Sequence, residues 1–340
     1  LASKKLGKQT VKFDHPPVII GTAATVGPKE GQGPLSSYFD TVLSDDLYGE
    51  NSWELAESKM LRETVKLAVQ KSDKNITDME YMLSGDLLNQ LMSATFAARD
   101  LGIPFFGLYG ACSTMTESLS LGSMLIDGGY AKHLVAVTSS HFSAAERQFR
   151  FPLELGNQRP LTAQWTVTGS GAAILASYGQ GPRITHVTTG KVIDLGIKDA
   201  NNMGAAMAPA AADTIATHFE DTGFAPESYD LIVTGDLGAI GKEITQEMVY
   251  DRGYNIAKVY NDCGLMIFDN KAQDTHAGGS GCGCSASVFC GYIYQQLQKN
   301  KLNRVLLIST GALLSTTSAQ QGQSIPGIAH AVTITNNVKG

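Results

Sequence analysis

The chain is poor in charge, tryptophan and cysteine, and it has no long apolar run. Charged residues make up 17% of its 340 positions, and the formal net charge is −6. No long run of lysine and arginine occurs, so no nucleic-acid partner is expected. No apolar stretch reaches the ~18–20 residues that span a bilayer. Any membrane contact is therefore expected to be peripheral. The opening stretch, "LASKKLGKQTVKFDH", carries basic residues without the apolar segment of a secretory signal. Five cysteines, an odd number without a disulfide-like framework, fit a reducing compartment. Cys282 and Cys284 have no second cysteine pair at zinc spacing, and they read as small buried residues. No metal site and no cofactor is expected.

Glycine and apolar residues are plentiful. Hydrophobic residues reach 43%, and 36 glycines punctuate the apolar runs, as turn-rich α/β proteins require. The sequence also repeats itself. "YMLSGDLLNQLMSAT" from Tyr81 and "LIVTGDLGAIGKEIT" from Leu231 are each an apolar strand pattern, then Gly-Asp-Leu, then a helical pattern. "GACSTMTES" leads through a helical pattern to "AKHLVAVTSSHFS", and "GCGCSASVF" leads in the same way to "LNRVLLISTGALLS". Each half reads as strand, helix, strand, helix, strand. Such alternation predicts parallel pairing and sheets covered by helices. The halves divide near "GQGPR", giving residues 1–182 and 183–340. Pro209 and Asp213 in "GAAMAPAAADTIATHFED" mark a helix start.

The two copies, with a cysteine at a strand-to-helix turn in the first, resemble the thiolase and ketoacyl synthase superfamily. "GACSTMTESL" stands where that superfamily carries its nucleophile, and "TVTGSGAAILA" is similar to its Gly-rich strand. The resemblance implies a five-layer α/β/α/β/α fold. By analogy it also implies a homodimer that pairs through sheet edges. A closer resemblance is carried by "KQTVKFDHPPVIIGTAATVGPKE", "GDLLNQ", "YGACSTMTES", "SSHFSAAERQFRFP", "MGAAMAPAAADTI", "NDCGLMIF" and "GGSGCGCSA". These look like the stage V sporulation protein AD family, thiolase-like proteins of spore-forming Firmicutes. That resemblance implies binding of dipicolinic acid (pyridine-2,6-dicarboxylate), with or without calcium, and a role in its uptake into the developing spore. It further implies a peripheral place on the inner membrane of the forespore, beside the other stage V sporulation A membrane proteins.

Condensing enzymes also need a His and an Asn, or two His, from the second half. Laying those patterns on this chain puts Gly235 or Asp236 at the His position and Ser280 near the Asn position. An aspartate there would repel a developing oxyanion. His276 is a stand-in by sequence distance or a loop histidine. The expected reading is a binding protein with a vestigial nucleophile at Cys112. The alternatives are an active acyl-transfer enzyme using Cys112 and a structural subunit of a transport assembly. For the ligand, the helix N-termini near Cys112, Ser113 and Cys284 offer N–H groups. His141, Arg147, Arg150 and Arg159 follow the strand that leaves the cysteine helix, and they either complete a dicarboxylate site or lie on a solvated or subunit-facing loop. Asp86 and Asp236 take matched places in the repeat, as helix caps or as ligand or calcium contacts.

Overall fold

The computed structural model describes residues 4–149 and 159–336. Two sets of five strands carry the fold. The first set is β1 (Val18–Val26), β2 (Tyr81–Gly85), β3 (Phe105–Gly107), β4 (His133–Ser140) and β5 (Gly169–Ala176). The second is β6 (Arg183–Thr188), β7 (Leu231–Thr234), β8 (Tyr260–Asp262), β9 (Arg304–Ala312) and β10 (Gly327–Thr335). The spatial order is β8-β7-β9-β10-β6-β1-β5-β4-β2-β3. Read outward from its centre, each set runs first, fifth, fourth, second, third. In each set the inner pairs are antiparallel and the outer pairs parallel. The internal repeat seen in the sequence is therefore a repeat of topology. The sets meet at one antiparallel bridge, Val18 to Arg183.

Six helices complete the pattern: α1 (Trp53–Lys71), α2 (Met92–Leu101), α3 (Thr114–Asp127), α4 (Met203–Thr222), α5 (Gly238–Asp251) and α6 (Cys282–Ser287). α6 runs on through a π-helical segment, Val288–Ile293, into Tyr294–Gln298. α1 and α2 cover the outer face of the first sheet, and α4 and α5 cover the second. α3 packs against strands of both sheets, with α6 beside it. The order is thus helix, sheet, helix, sheet, helix, the five-layer thiolase-like arrangement. The largest apolar core lies in the middle layer, where Met115, Leu119, Cys284 and Phe289 meet side chains from both sheets. β1 and β5 are buried along almost their whole length, as strands covered on both faces must be.

Local chemistry sets the helix ends. Ser52 caps α1 by accepting from Leu55 N–H, and Glu54 sits in its first turn. Gly102, at φ +67°, ends α2. α4 departs from the sequence reading. It starts at Met203, so Pro209 lies inside it and not at its start. Packing overrides the local signal here. Gly204 meets Gly241 of α5 so closely that a Cβ on either would collide with the other helix's backbone. That contact fixes the first turn of α4 ahead of the proline. No helix of the described residues is long and apolar enough to cross a membrane.

Candidate functional site

In sheets of this kind, ligands gather where the carboxyl ends of strands meet helix N-termini. β3 runs into a tight turn, Ala111–Ser113, that opens α3. Ala111 holds φ at +48°, a costly conformation for a residue with a Cβ. The turn places Cys112 in a cleft at the junction of the two halves. Around it stand Leu87, Tyr109, Ala111, Ala145, Phe149, Met203, Ala312 and Leu314, with Glu146, Gln164, Thr166, Asn201 and Ser280 supplying polar atoms.

Asp236 follows β7 and is buried at the back of this site. Its Oδ1 accepts from the Thr310 hydroxyl at 2.6 Å. Its Oδ2 accepts from Gly281 N–H at 2.9 Å and from the Ser280 hydroxyl at 3.2 Å. The Cys112 thiol lies beside the same carboxylate. Burial pushes the Cys112 thiol well above its ordinary pKa, and the Asp236 charge pushes it further. A nucleophilic cysteine needs the opposite shift. Gly281, at φ +99°, is the residue before α6, so Asp236 occupies the N-terminus of that helix itself. Gly283 N–H is also taken, by Ser140 Oγ at 2.9 Å. The α6 N–H groups expected to face a ligand are thus partly spent inside the protein.

The other candidates separate. Asp86 is buried and accepts from Leu88 and Ala94 N–H, each at 2.7 Å. It ties the start of α2, and burial raises its pKa to about 6. Ser113 Oγ donates to Gly110 O at 2.7 Å. Cys284 lies in the middle-layer core, and Cys282 is the cysteine beside Cys112, its thiol 3.1 Å from Ala111 O. His141 is buried with Nε2 at 2.7 Å from Asp46 O, and burial lowers its pKa. Arg147 pairs with Glu54 and covers the Trp53 ring. One helical step from Arg147, Glu146 faces the cleft with Ala145 and Phe149. His276 bonds Pro160 O at 2.9 Å and Asp274 at 3.0 Å, away from the cleft. Arg159 donates to Asp274 and stacks over Trp165. Arg150 lies outside the described residues. None of these histidines and described arginines lines the cleft.

Sequence reading did not single out Gln164, Thr166, Glu146, Tyr109 or Phe149. Their signal was local. Gln164 and Thr166 alternate around a two-residue strand, Trp165–Thr166, that pairs with Gly279–Ser280. The amide Nε2 of Gln164 donates to Asp236 O at 2.6 Å and to Gly279 O at 2.9 Å. No group of three or more His, Cys, Asp or Glu among the described residues is placed to hold a metal ion.

The profile of the family described as stage V sporulation protein AD matches residues 7–335. This chain belongs to that family. Stage V sporulation protein AD of Bacillus subtilis (strain 168) is 48% identical over 329 residues, covering 97% of each chain. Among solved structures, 3-oxoacyl-[acyl-carrier-protein] synthase III of Aquifex aeolicus VF5 is similar at a TM-score of 0.56 and 12% identity, over 94% of this chain and 99% of that one. A cerulenin-bound variant of OleA from Xanthomonas campestris is similar at 0.61 and 12%, over 95% of this chain and 97% of that one. At such identity these likenesses show the fold alone. The chain is a stage V sporulation protein with a thiolase-like fold.

Proposed function

We propose that the cleft beside Cys112 binds dipicolinic acid, performs no condensation, and serves uptake of that acid into the developing spore. The observation that carries the non-catalytic reading is Asp236. Its carboxylate stands beside the Cys112 thiol, at the position where a condensing enzyme would use a neutral or cationic partner. Burial raises the pKa of Asp236 as well, and in its ionised form the group opposes both a thiolate and an oxyanion. Removing even one oxyanion donor from an acyl-transfer enzyme costs ~10²–10³ in rate.

The walls support a flat heteroaromatic ligand. Tyr109, Phe149, Leu87 and Leu314 offer apolar surface, and polar atoms at one side fix orientation. Free space is about 50 Å³, so a pyridine dicarboxylate needs Phe149 or Leu314 to swing outward. Titration calorimetry of the purified chain with dipicolinate tests the reading. Saturable binding at one site per chain is expected. Absence of binding, or acylation of Cys112 by acetyl-CoA or malonyl-CoA with turnover, would replace it with the structural-subunit or enzyme alternative.

The chain acts at the inner spore membrane as a peripheral member of an assembly with the other stage V sporulation A proteins. It pairs with a second copy along β3. β3 and β8 are matched outer strands, yet β8 buries Tyr260 and Asp262, while β3 leaves Phe106 48% exposed. An uncovered edge strand invites pairing.

A further inference from the structure

We propose that Gln164 selects the protonation state of the bound acid, its Oε1 accepting a hydrogen bond from a proton that the ligand carries on a carboxyl group or its ring nitrogen. This inference rests on the dipicolinate reading and goes one step beyond it.

The amide orientation is fixed by its partners. Nε2 faces two carbonyl oxygens, Asp236 O and Gly279 O. Flipping the amide would set oxygen against oxygen at both places, so Nε2 must be the end held by the backbone. Oε1 is then left over. It is buried and meets no donor, in a side chain only 6% exposed that lines the cleft. A buried acceptor without a donor costs ~1–3 kcal/mol, and a ligand that brings a donor recovers it. A fully ionised dicarboxylate brings none. It presents acceptors only.

The surrounding charges act the same way. No lysine, arginine or histidine lines the cleft among the described residues. The titratable groups that face it are Glu146 from the Phe142–Phe149 helix, Tyr109 after β3, and Cys112 before α3. Asp236 after β7 and Cys282 of α6 lie directly behind. None of these carries a positive charge. A dianion entering this cleft meets the unpaired carbonyl oxygen of Gln164 and no cation among the described lining residues. A singly protonated acid carries one charge less and supplies the missing donor.

The test is calorimetry of the full chain with dipicolinate across pH 5–8, in two buffers of different ionisation enthalpy. Binding should take up about one proton per ligand, and affinity should fall about tenfold per pH unit above the ligand's own second carboxyl pKa. The monoamide, 6-carbamoylpyridine-2-carboxylate, carries a permanent N–H donor. It should bind with nearly constant affinity over the same range and overtake the dicarboxylate at pH 8. Gln164→Met should cut that advantage at least about tenfold. In Glu146→Gln the proton uptake should persist, whatever the change in affinity. Loss of uptake in Glu146→Gln would place the proton on Glu146 and overturn the proposal. So would dicarboxylate binding without proton uptake, or an undiminished monoamide advantage in Gln164→Met. If neither ligand binds, the dipicolinate reading itself falls, an outcome distinct from binding without proton uptake.

Discussion

The carboxylate of Asp236 stands beside the thiol of Cys112 at the junction of the two halves and raises its pKa. The same carboxylate holds the N-terminus of α6 and the Thr310 hydroxyl.

Asp236→Asn should therefore change reactivity and stability in opposite directions. Without the charge, the Cys112 thiol loses a proton more readily. Alkylation by iodoacetamide, mapped to Cys112 by mass spectrometry, should be faster at pH 8 than in the parent chain. An amide has one acceptor oxygen where the carboxylate has two, so the Thr310 hydroxyl, the Ser280 hydroxyl and Gly281 N–H cannot all keep their acceptor. That should cost roughly 1–3 kcal/mol in denaturant unfolding. Equal alkylation rates in the two proteins would show that burial alone sets the thiol's pKa.

Cys112→Trp should fill the cleft and weaken dipicolinate binding by at least about a hundredfold, while Cys112→Ala should weaken it by less than about tenfold, a difference above ~1.4 kcal/mol. The cysteine supplies wall here, and a small wall residue is replaceable. Calorimetry decides it. Unchanged binding in Cys112→Trp would place the ligand elsewhere.

Glu30 makes the stability fall as pH rises. It is 1% exposed, its Oε1 accepts from Thr168 N–H at 3.0 Å, and its Oε2 meets no partner. Burial raises its pKa from 4.5 to about 8. Between those values the folded chain keeps a proton that the unfolded chain has released. The stabilisation is complete below pH 4.5 and is lost as pH rises through about 8. The loss is on the order of 3–5 kcal/mol. Glu30→Gln should flatten this dependence and be the more stable form at pH 8, as read from urea midpoints at pH 5 and pH 8. Parallel pH profiles would contradict the assignment.

Phe106→Lys should shift the chain towards monomer in sedimentation velocity at micromolar concentration, with an unchanged melting temperature at high dilution. Phe106 already lies half in solvent, so the substitution disturbs little inside one chain. A parent chain that sediments as a monomer would remove the pairing.

The fold was legible because it is written twice. Gly-Asp-Leu after β2 and again after β7, and a small-residue helix start before α3 and again before α6, carry the strand order without any long-range information. The site was legible only where it follows the repeat, at Cys112, Asp236 and Ser280. The direction of an arginine side chain is not legible in the sequence. Arg147 and Glu146 are neighbours in sequence, and one step of helix sends the first to Glu54 on the surface and the second to the cleft. Gln164 went unremarked because its role depends on two backbone carbonyls, those of Asp236 and Gly279, that only the folded chain brings together.

Asp86 and Asp236 began as equivalent positions of a duplicated unit and now hold different debts. Asp86 holds the Leu88 and Ala94 N–H groups at the start of α2. Asp236 holds the start of α6 and the Thr310 hydroxyl together. Any substitution that would return a condensing partner to that place must first strand the groups that now depend on it. A change at Asp236 therefore disturbs both the start of α6 and the strand that carries Thr310, whereas a change in the apolar wall of the cleft disturbs neither.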